Sequence, residues 1–264
     1  MLSVLQRIVA QRFHDVHAER RAIREQTLQA MLDERGAHRG FATALRGTTP
    51  AIVAEVKHAS PSAGEIDRER GAAEIASAYE QGGAAAVSVV VEPRCFAGRH
   101  ADLASVRAAV RLPVLCKDFV IDEFQLWKAA AFGADAVLLI AAILDDKRLA
   151  QFVALAAALS LEAVVEVHTP QELQRAIAVG AHVVGINNRD LATMAVDVGV
   201  ASRLARLAPK GCVTLAESGY ARPSQLRAAM DAGINAFLIG EALMRAPDPA
   251  AAVRMMREVH AWSE

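Results

Sequence analysis

The chain has 264 residues, 53% of them hydrophobic and 22% charged, with a formal net charge of -1. That apolar share is enough for one sizeable core, and the length suits one large domain or two small ones. The near-neutral balance argues against a general nucleic-acid surface, which needs a basic excess, and leaves room for a local basic pocket that takes a small anion.

Residues 1–48 precede any repeating pattern. The opening stretch is broken by Gln6, Arg7, Gln11 and Arg12, so it lacks the long apolar core of a signal peptide. Leu2, Leu5, Ile8 and Val9 recur at helical spacing, and Phe41 and Leu45 do so again. These positions predict a helical extension over 1–48 that packs on a catalytic domain over 49–264. From residue 51 onward, short apolar runs alternate with amphipathic stretches. Eight runs are expected as strands: 51–57, 85–91, 114–117, 136–140, 163–167, 183–186, 213–216 and 236–239. Continuous apolar runs suit strands buried on both faces, as in a parallel sheet. Helices are expected between them, for example over 72–81, 123–132, 171–179 and 223–232. Gly82, Gly133, Gly180 and Gly233 are expected to stop helices in the left-handed conformation. The longest apolar run, 136–144, is too short to span a membrane, which takes about 20 residues. Eight β–α units without a linker predict an α/β fold, a closed eightfold (β/α) TIM barrel; an open doubly wound sheet is the alternative. Cys95, Cys116 and Cys212 are far apart and odd in number, which predicts a reduced, cytoplasmic protein with no metal site.

The chemistry of such barrels sits at the carboxyl ends of the strands. The first strand ends Glu55-Val56-Lys57. Alternate strand residues share a face, so Glu55 and Lys57 are expected to point together into the barrel mouth. The third strand ends Lys117-Asp118-Phe119, the fifth carries Glu166, and the sixth ends Asn187-Asn188-Arg189-Asp190. The seventh ends Glu217-Ser218-Gly219 and the eighth runs into Gly240-Glu241. Buried charges need partners, so a structural ion-pair network is one reading. The other is proton transfer, for which neighbouring charge and desolvation would shift lysine and glutamate pKa values toward neutrality. Ser60-Pro61-Ser62-Ala63-Gly64, Ser218-Gly219 and Gly240-Glu241 are candidate phosphate loops. Backbone N–H groups there can face an anion, and glycine allows close approach; plain turns are the alternative.

These residues together carry a resemblance. The string Ile52-Val53-Ala54-Glu55-Val56-Lys57-His58-Ala59-Ser60-Pro61-Ser62 is similar to the first-strand signature of the indole-3-glycerol phosphate synthase family. Lys117-Asp118-Phe119-Val120-Ile121-Asp122, Val165-Glu166-Val167-His168, Gly185-Ile186-Asn187-Asn188-Arg189-Asp190-Leu191, Glu217-Ser218-Gly219 and Gly240-Glu241-Ala242-Leu243-Met244 follow in the family's order. Phe41-Ala42-Thr43-Ala44-Leu45-Arg46 fits the family's N-terminal extension, so the resemblance covers nearly the whole chain.

The resemblance implies a carboxy-lyase of tryptophan biosynthesis. The substrate would be 1-(2-carboxyphenylamino)-1-deoxyribulose 5-phosphate, which cyclises, loses carbon dioxide and then loses water to give indole-3-glycerol phosphate. It implies no cofactor and no metal. The expected partner is a phosphorylated small molecule, not nucleic acid or membrane, and a neighbouring pathway enzyme stays open. Lys117 would be the general acid of ring closure. Glu166 and Lys57 would carry the later proton transfers, with acid and base unassigned between them. Glu55 would hold the lysines and a substrate hydroxyl. Asn187 joins this catalytic set and, with Arg189, suits the substrate carboxylate. Glu217 would brace the polar network. Ser60, Ser218, Gly219, Gly240 and Glu241 would surround the phosphate. Phe96, Phe119, Leu138 and Leu191 would line the ring pocket, with plain core packing an equal reading for the two leucines. His168 belongs to a family motif and is expected to pack rather than react.

Departures concentrate in two loops. Val90-Val91-Glu92-Pro93 stands where the family has Leu-Thr followed by an acid, and Arg99-His100 stands where a serine is usual. Ala63 replaces a basic residue, and Cys116 an arginine. An isomerase acting on a phosphoribosyl anthranilate would not be expected to carry the Glu-x-Lys, Lys-Asp-Phe and Asn-Asn-Arg set together. A paralogue that binds a phosphorylated aromatic without turnover is the alternative from another class. The altered second loop motivates it and the complete catalytic set opposes it.

Overall fold

The computed structural model describes residues 3–47 and 50–259. Eight parallel strands close into a barrel: β1 (Ala51–Val56), β2 (Ala86–Val90), β3 (Val114–Lys117), β4 (Ala136–Ile140), β5 (Glu162–Val167), β6 (Val183–Asn187), β7 (Val213–Glu217) and β8 (Ala236–Ile239). Each pairs with its neighbours in sequence, and β1 closes on β8 with Ala51 opposite Ala236. The closed barrel removes the open-sheet alternative. The strands form where the apolar runs predict them because both faces are buried. Inward residues such as Val53, Leu115, Leu138, Val164 and Leu215 pack on one another inside the barrel. Outward residues such as Ile52, Val87, Val165 and Ile186 pack under the surrounding helices.

Three helices precede the barrel: α1 (Val4–Ala22), α2 (Glu25–Asp33) and α3 (Phe41–Gly47). Leu2 and the boundary at 48 and 49 lie outside the described residues. Phe41 and Leu45 are fully buried and join the cluster inside the barrel, so α3 plugs the end opposite the mouth. Glu162, at the start of β5, accepts the N–H groups of Phe41 at 2.6 Å and Ala42 at 2.9 Å. A carboxylate there satisfies free donors and suits the positive end of the helix dipole.

The helix α1 docks at the other end through a buried ion pair. Arg12, 0% exposed, is the one fully buried charged residue of this helix. Its Nε and Nη2 donate to Asp118 at 2.9 Å and 2.7 Å. Gln125 on α6 (Glu123–Ala131) donates to the same carboxylate at 2.9 Å. Glu19 pairs with both Arg12 and Lys128. Asp118 follows Lys117 directly, so this pair ties α1 to the end of β3.

Two features depart from the sequence expectation. A short antiparallel hairpin, Ala59–Ser60 with Gly64–Glu65, follows β1 where only a loop was expected. Gly82 does not hold the left-handed stop of α4 (Ala72–Gln81): its φ is -72°, and Gly83 takes the turn at +84°. Gly82 is needed for close approach instead. A Cβ there would lie 2.6 Å from the carbonyl oxygen of Ala250, on α12 (Pro249–Arg257). Gly133, Gly180 and Gly233 take the left-handed conformation as expected.

Arg12→Met leaves the Asp118 carboxylate buried without its main partner. The expected loss is about 3–5 kcal/mol of stability, read from the midpoint of chemical denaturation. Adding Asp118→Asn should restore part of it. An unchanged midpoint for Arg12→Met would contradict the assignment.

Candidate active site

A cavity of about 420 Å³ opens at the carboxyl ends of the strands. Glu55, Lys57, Lys117, Glu166 and Asn187 line it, as do Arg189, Ser60, Phe96, Phe119, Leu138 and Leu191. Ser218, Gly219, Gly240 and Glu241 line its rim. Glu217 alone of the predicted set does not reach the cavity; it stands behind Lys117. The α1 residues Val4, Leu5 and Ile8 complete the wall. The sequence reading gave α1 only a packing role and missed this one.

The charged centre is compact. Lys57 Nζ lies 2.7 Å from Glu55 Oε1, and Lys117 Nζ lies 3.4 Å from Glu55 Oε2 and 3.0 Å from Glu217 Oε2. Glu55 and Lys57 therefore point the same way, as the strand alternation predicts. Two glycines make room for the carboxylates. A Cβ on Gly240 would lie 2.4 Å from Glu55 Oε1, and one on Gly185 would lie 2.4 Å from Glu217 Oε1.

This packing sets the protonation states. Burial pushes the Glu55 carboxyl up, but Lys57 and Lys117 outweigh it and hold the pKa at about 2. Burial pulls Lys117 down, but Glu217, Glu55 and Glu166 outweigh it and hold the ammonium above its ordinary value. Glu217 moves the other way: burial and the nearby carboxylates Glu166 and Glu55 raise it, despite Lys117. The expectation that lysine and glutamate both drift toward neutrality is therefore corrected for Lys117 and Glu55. Each lies against an opposite charge close enough to outweigh desolvation.

The rim presents backbone N–H groups to the cavity. Ser218 has φ of 65° and Gly219 of 87°, two consecutive left-handed residues. Such a turn aims successive N–H groups at one point. Asn188 Nδ2 holds it by donating to the Ser218 carbonyl at 3.0 Å. Among the described residues, no loop or side-chain acceptor takes the N–H of Ser218, Gly219, Gly240 or Glu241. Arg245, which the sequence reading missed, also lines the cavity and pairs with Glu241 at 3.0 Å. After the neighbouring strand β6, Arg189 Nη1 donates to the Met194 carbonyl at 3.0 Å, which fixes the guanidinium at the mouth.

The second loop is more ordered than its unusual sequence suggests. Glu92 is 1% exposed and accepts the N–H groups of Arg94 at 3.0 Å, Cys95 at 2.7 Å and Phe96 at 3.1 Å. It thereby sets the Phe96 ring 6.1 Å from that of Phe119. A buried acid just past a strand end was the available signal. His100 is a buried packing group, edge-on to Phe132, and burial pulls its pKa down to about 4.

Glu92→Ala removes three charge-assisted hydrogen bonds at once. It should cost at least about 1.5–3 kcal/mol of stability, the worth of one such bond, in chemical denaturation. A loss below about 0.5 kcal/mol, ordinary for a surface site, would show that the loop holds itself.

The chain is similar to known proteins along nearly its whole length. The sequence profile described as "Indole-3-glycerol phosphate synthase" matches residues 5–256. A protein of Micrococcus luteus described by the same name is 45% identical over 261 residues, covering 97% of both chains. Another, of Desulfosudis oleivorans, is 42% identical over 253 residues, covering 94% of this chain and 96% of its own. The solved thiamine phosphate pyrophosphorylase of Pyrococcus furiosus has the same fold, with a TM-score of 0.63 and 16% identity. It covers 83% of this chain and 97% of its own. Fold, order of motifs and near-full-length identity lead to one conclusion: this chain belongs to the indole-3-glycerol phosphate synthase family.

Proposed function

We propose that the chain converts 1-(2-carboxyphenylamino)-1-deoxyribulose 5-phosphate into indole-3-glycerol phosphate, a carboxy-lyase step of tryptophan biosynthesis, with Lys117 as the acid of ring closure. The observation that carries the reading is the Lys117 ammonium, kept charged between Glu55 and Glu217 at the cavity floor. A general acid must hold its proton until the substrate carbonyl arrives, and a resident carboxylate pair does this in a buried site.

The other roles follow from position. The phosphate takes the open N–H groups at Ser218-Gly219 and Gly240-Glu241, beside Ser60. The substrate carboxylate takes Arg189 and Asn187, at the end of the neighbouring strand β6. Phe96, Phe119, Leu138 and Leu191 bracket the aromatic ring. As ring closure pushes electrons onto the carbonyl oxygen, Lys117 gives its proton there. The carboxylate then leaves as carbon dioxide, and its bonding electrons restore the aromatic ring. Glu166 and Lys57 share the proton transfers of dehydration. Glu55 stays an anion and favours the charged form of Lys117 before ring closure. Among the described residues, no helix is long and apolar enough to cross a membrane, and the reading assigns the reaction to the cytoplasm.

Lys117→Ala separates catalysis from binding. The variant should fold, bind a product analogue within about tenfold of the wild-type affinity and lose at least about 100-fold in turnover. Near-normal turnover with a lowered melting temperature would make Lys117 a structural partner only. Arg189→Ala should raise the Michaelis constant by the equivalent of about 1.5–3 kcal/mol. An unchanged constant in a folded variant would remove the carboxylate role.

A further inference from the structure

Proton bookkeeping sets a demand that the cavity alone does not meet. In the proposed reaction the carbonyl oxygen gains two protons and leaves as water. One proton returns to the enzyme from the methylene between the nitrogen and the former carbonyl carbon. The carboxylate leaves as carbon dioxide and carries no proton. Each turnover therefore consumes one proton, which must enter from solvent. With substrate seated, the cavity is plugged, so the buried acid set needs a second route.

His168 occupies such a route. It directly follows β5, two residues after Glu166. Its Nε2 lies 3.5 Å from Glu166 Oε1, and its Nδ1 lies 3.4 Å from Glu172 Oε2. Glu166 Oε1 and His168 Nε2 are both buried, and neither has a hydrogen-bond partner. A small rotation would join them. Glu172 is fixed in turn: its Oε2 accepts the His168 N–H at 2.7 Å, and its own N–H is capped by Thr169 at 3.1 Å. Glu166 lines the cavity and is nearly sealed from solvent, whereas His168 is absent from the cavity wall and keeps 16% of its side chain exposed. The chain of groups therefore runs from the cavity through Glu166 to a partly exposed imidazole.

We infer that His168 relays protons from solvent to Glu166, reloading the buried acid set once per turnover while substrate or product fills the mouth. This extends the packing role that the sequence suggests for His168, and it rests on the reaction proposed above. His168 acts through Glu166 and touches no substrate. The transfer balances: a solvent proton arrives at one ring nitrogen, and the proton on the other passes to the Glu166 carboxylate. The groups facing the imidazole are Glu166 on β5, Glu172 on α8 (Pro170–Ala178), Asp190 in the loop after β6 and Glu217 on β7. All are acidic. Burial pulls the ring's pKa down, but Glu172, Glu166 and Glu217 together raise it above its ordinary value. These carboxylates favour the charged form of the ring.

The test compares the first turnover with the steady state in His168→Gln, with melting temperature measured on the same preparation. The first turnover uses protons already loaded and should stay within about twofold of wild type. Steady-state turnover should fall at least about tenfold and recover as imidazole buffer is added at constant pH. The wild type should not respond to imidazole. Equal slowing of both phases, or no recovery with imidazole, overturns the relay. If His168→Gln does not fold, Glu172→Gln takes its place, with the same pattern expected and the same results overturning it. A wild-type chain that forms no indole-3-glycerol phosphate contradicts the parent reading instead, so the two failures are distinct.

Discussion

The site depends on Lys117 being charged in a place where charge is expensive. Burial alone would strip its proton. Glu55 and Glu217 reverse that because both carboxylates lie within 3.4 Å of the ammonium, and attraction at that range in a low dielectric outweighs the desolvation. The rest of the mouth serves this contact. Gly240 and Gly185 omit side chains so that Glu55 and Glu217 can close in. Lys57 takes the other oxygen of Glu55, so one carboxylate serves two lysines. Glu217 is the counterpart, raised by its acidic neighbours, and the set therefore holds one firm anion and one carboxylate nearer to taking a proton.

The position of Lys117 is fixed from outside the barrel as well. The next residue, Asp118, is gripped by Arg12 and Gln125, and Phe119 follows into the cavity wall. The N-terminal extension thus spans the barrel. Its first helix walls the cavity with Leu5 and Ile8, and its third plugs the far end with Phe41 and Leu45. A disturbance of the extension would reach the mouth through the Arg12–Asp118 pair without altering any residue at the cavity floor.

Much of this was legible in the amino-acid sequence, for physical reasons. Strands buried on both faces leave continuous apolar runs, so all eight could be counted. Strand alternation put Glu55 and Lys57 on one face. What escaped the sequence was mostly made by contacts distant along the chain. Arg12 reads as a polar break in an apolar stretch, because its partner Asp118 is 106 residues away. Glu92 reads as a departure at an unusual loop, although it organises that loop through three backbone N–H groups. Gly82 reads as a helix stop, yet its lack of a side chain serves contact with Ala250. That nearby glutamates keep Lys117 protonated was legible from the strand ends, but its closest partner, Glu217 at 3.0 Å, reads only as a brace of the network.

The protonation state of Lys117 in the resting enzyme is therefore the quantity to measure. Lysine labelled with carbon-13 at Cε reports it directly, with the Lys117 signal assigned by its loss in Lys117→Arg. The account predicts a charged ammonium throughout a titration from about pH 6 to the ordinary lysine value of about 10.4. A Lys117 signal that titrates near neutrality would contradict it, because the carboxylates would then not be holding the proton on which ring closure depends.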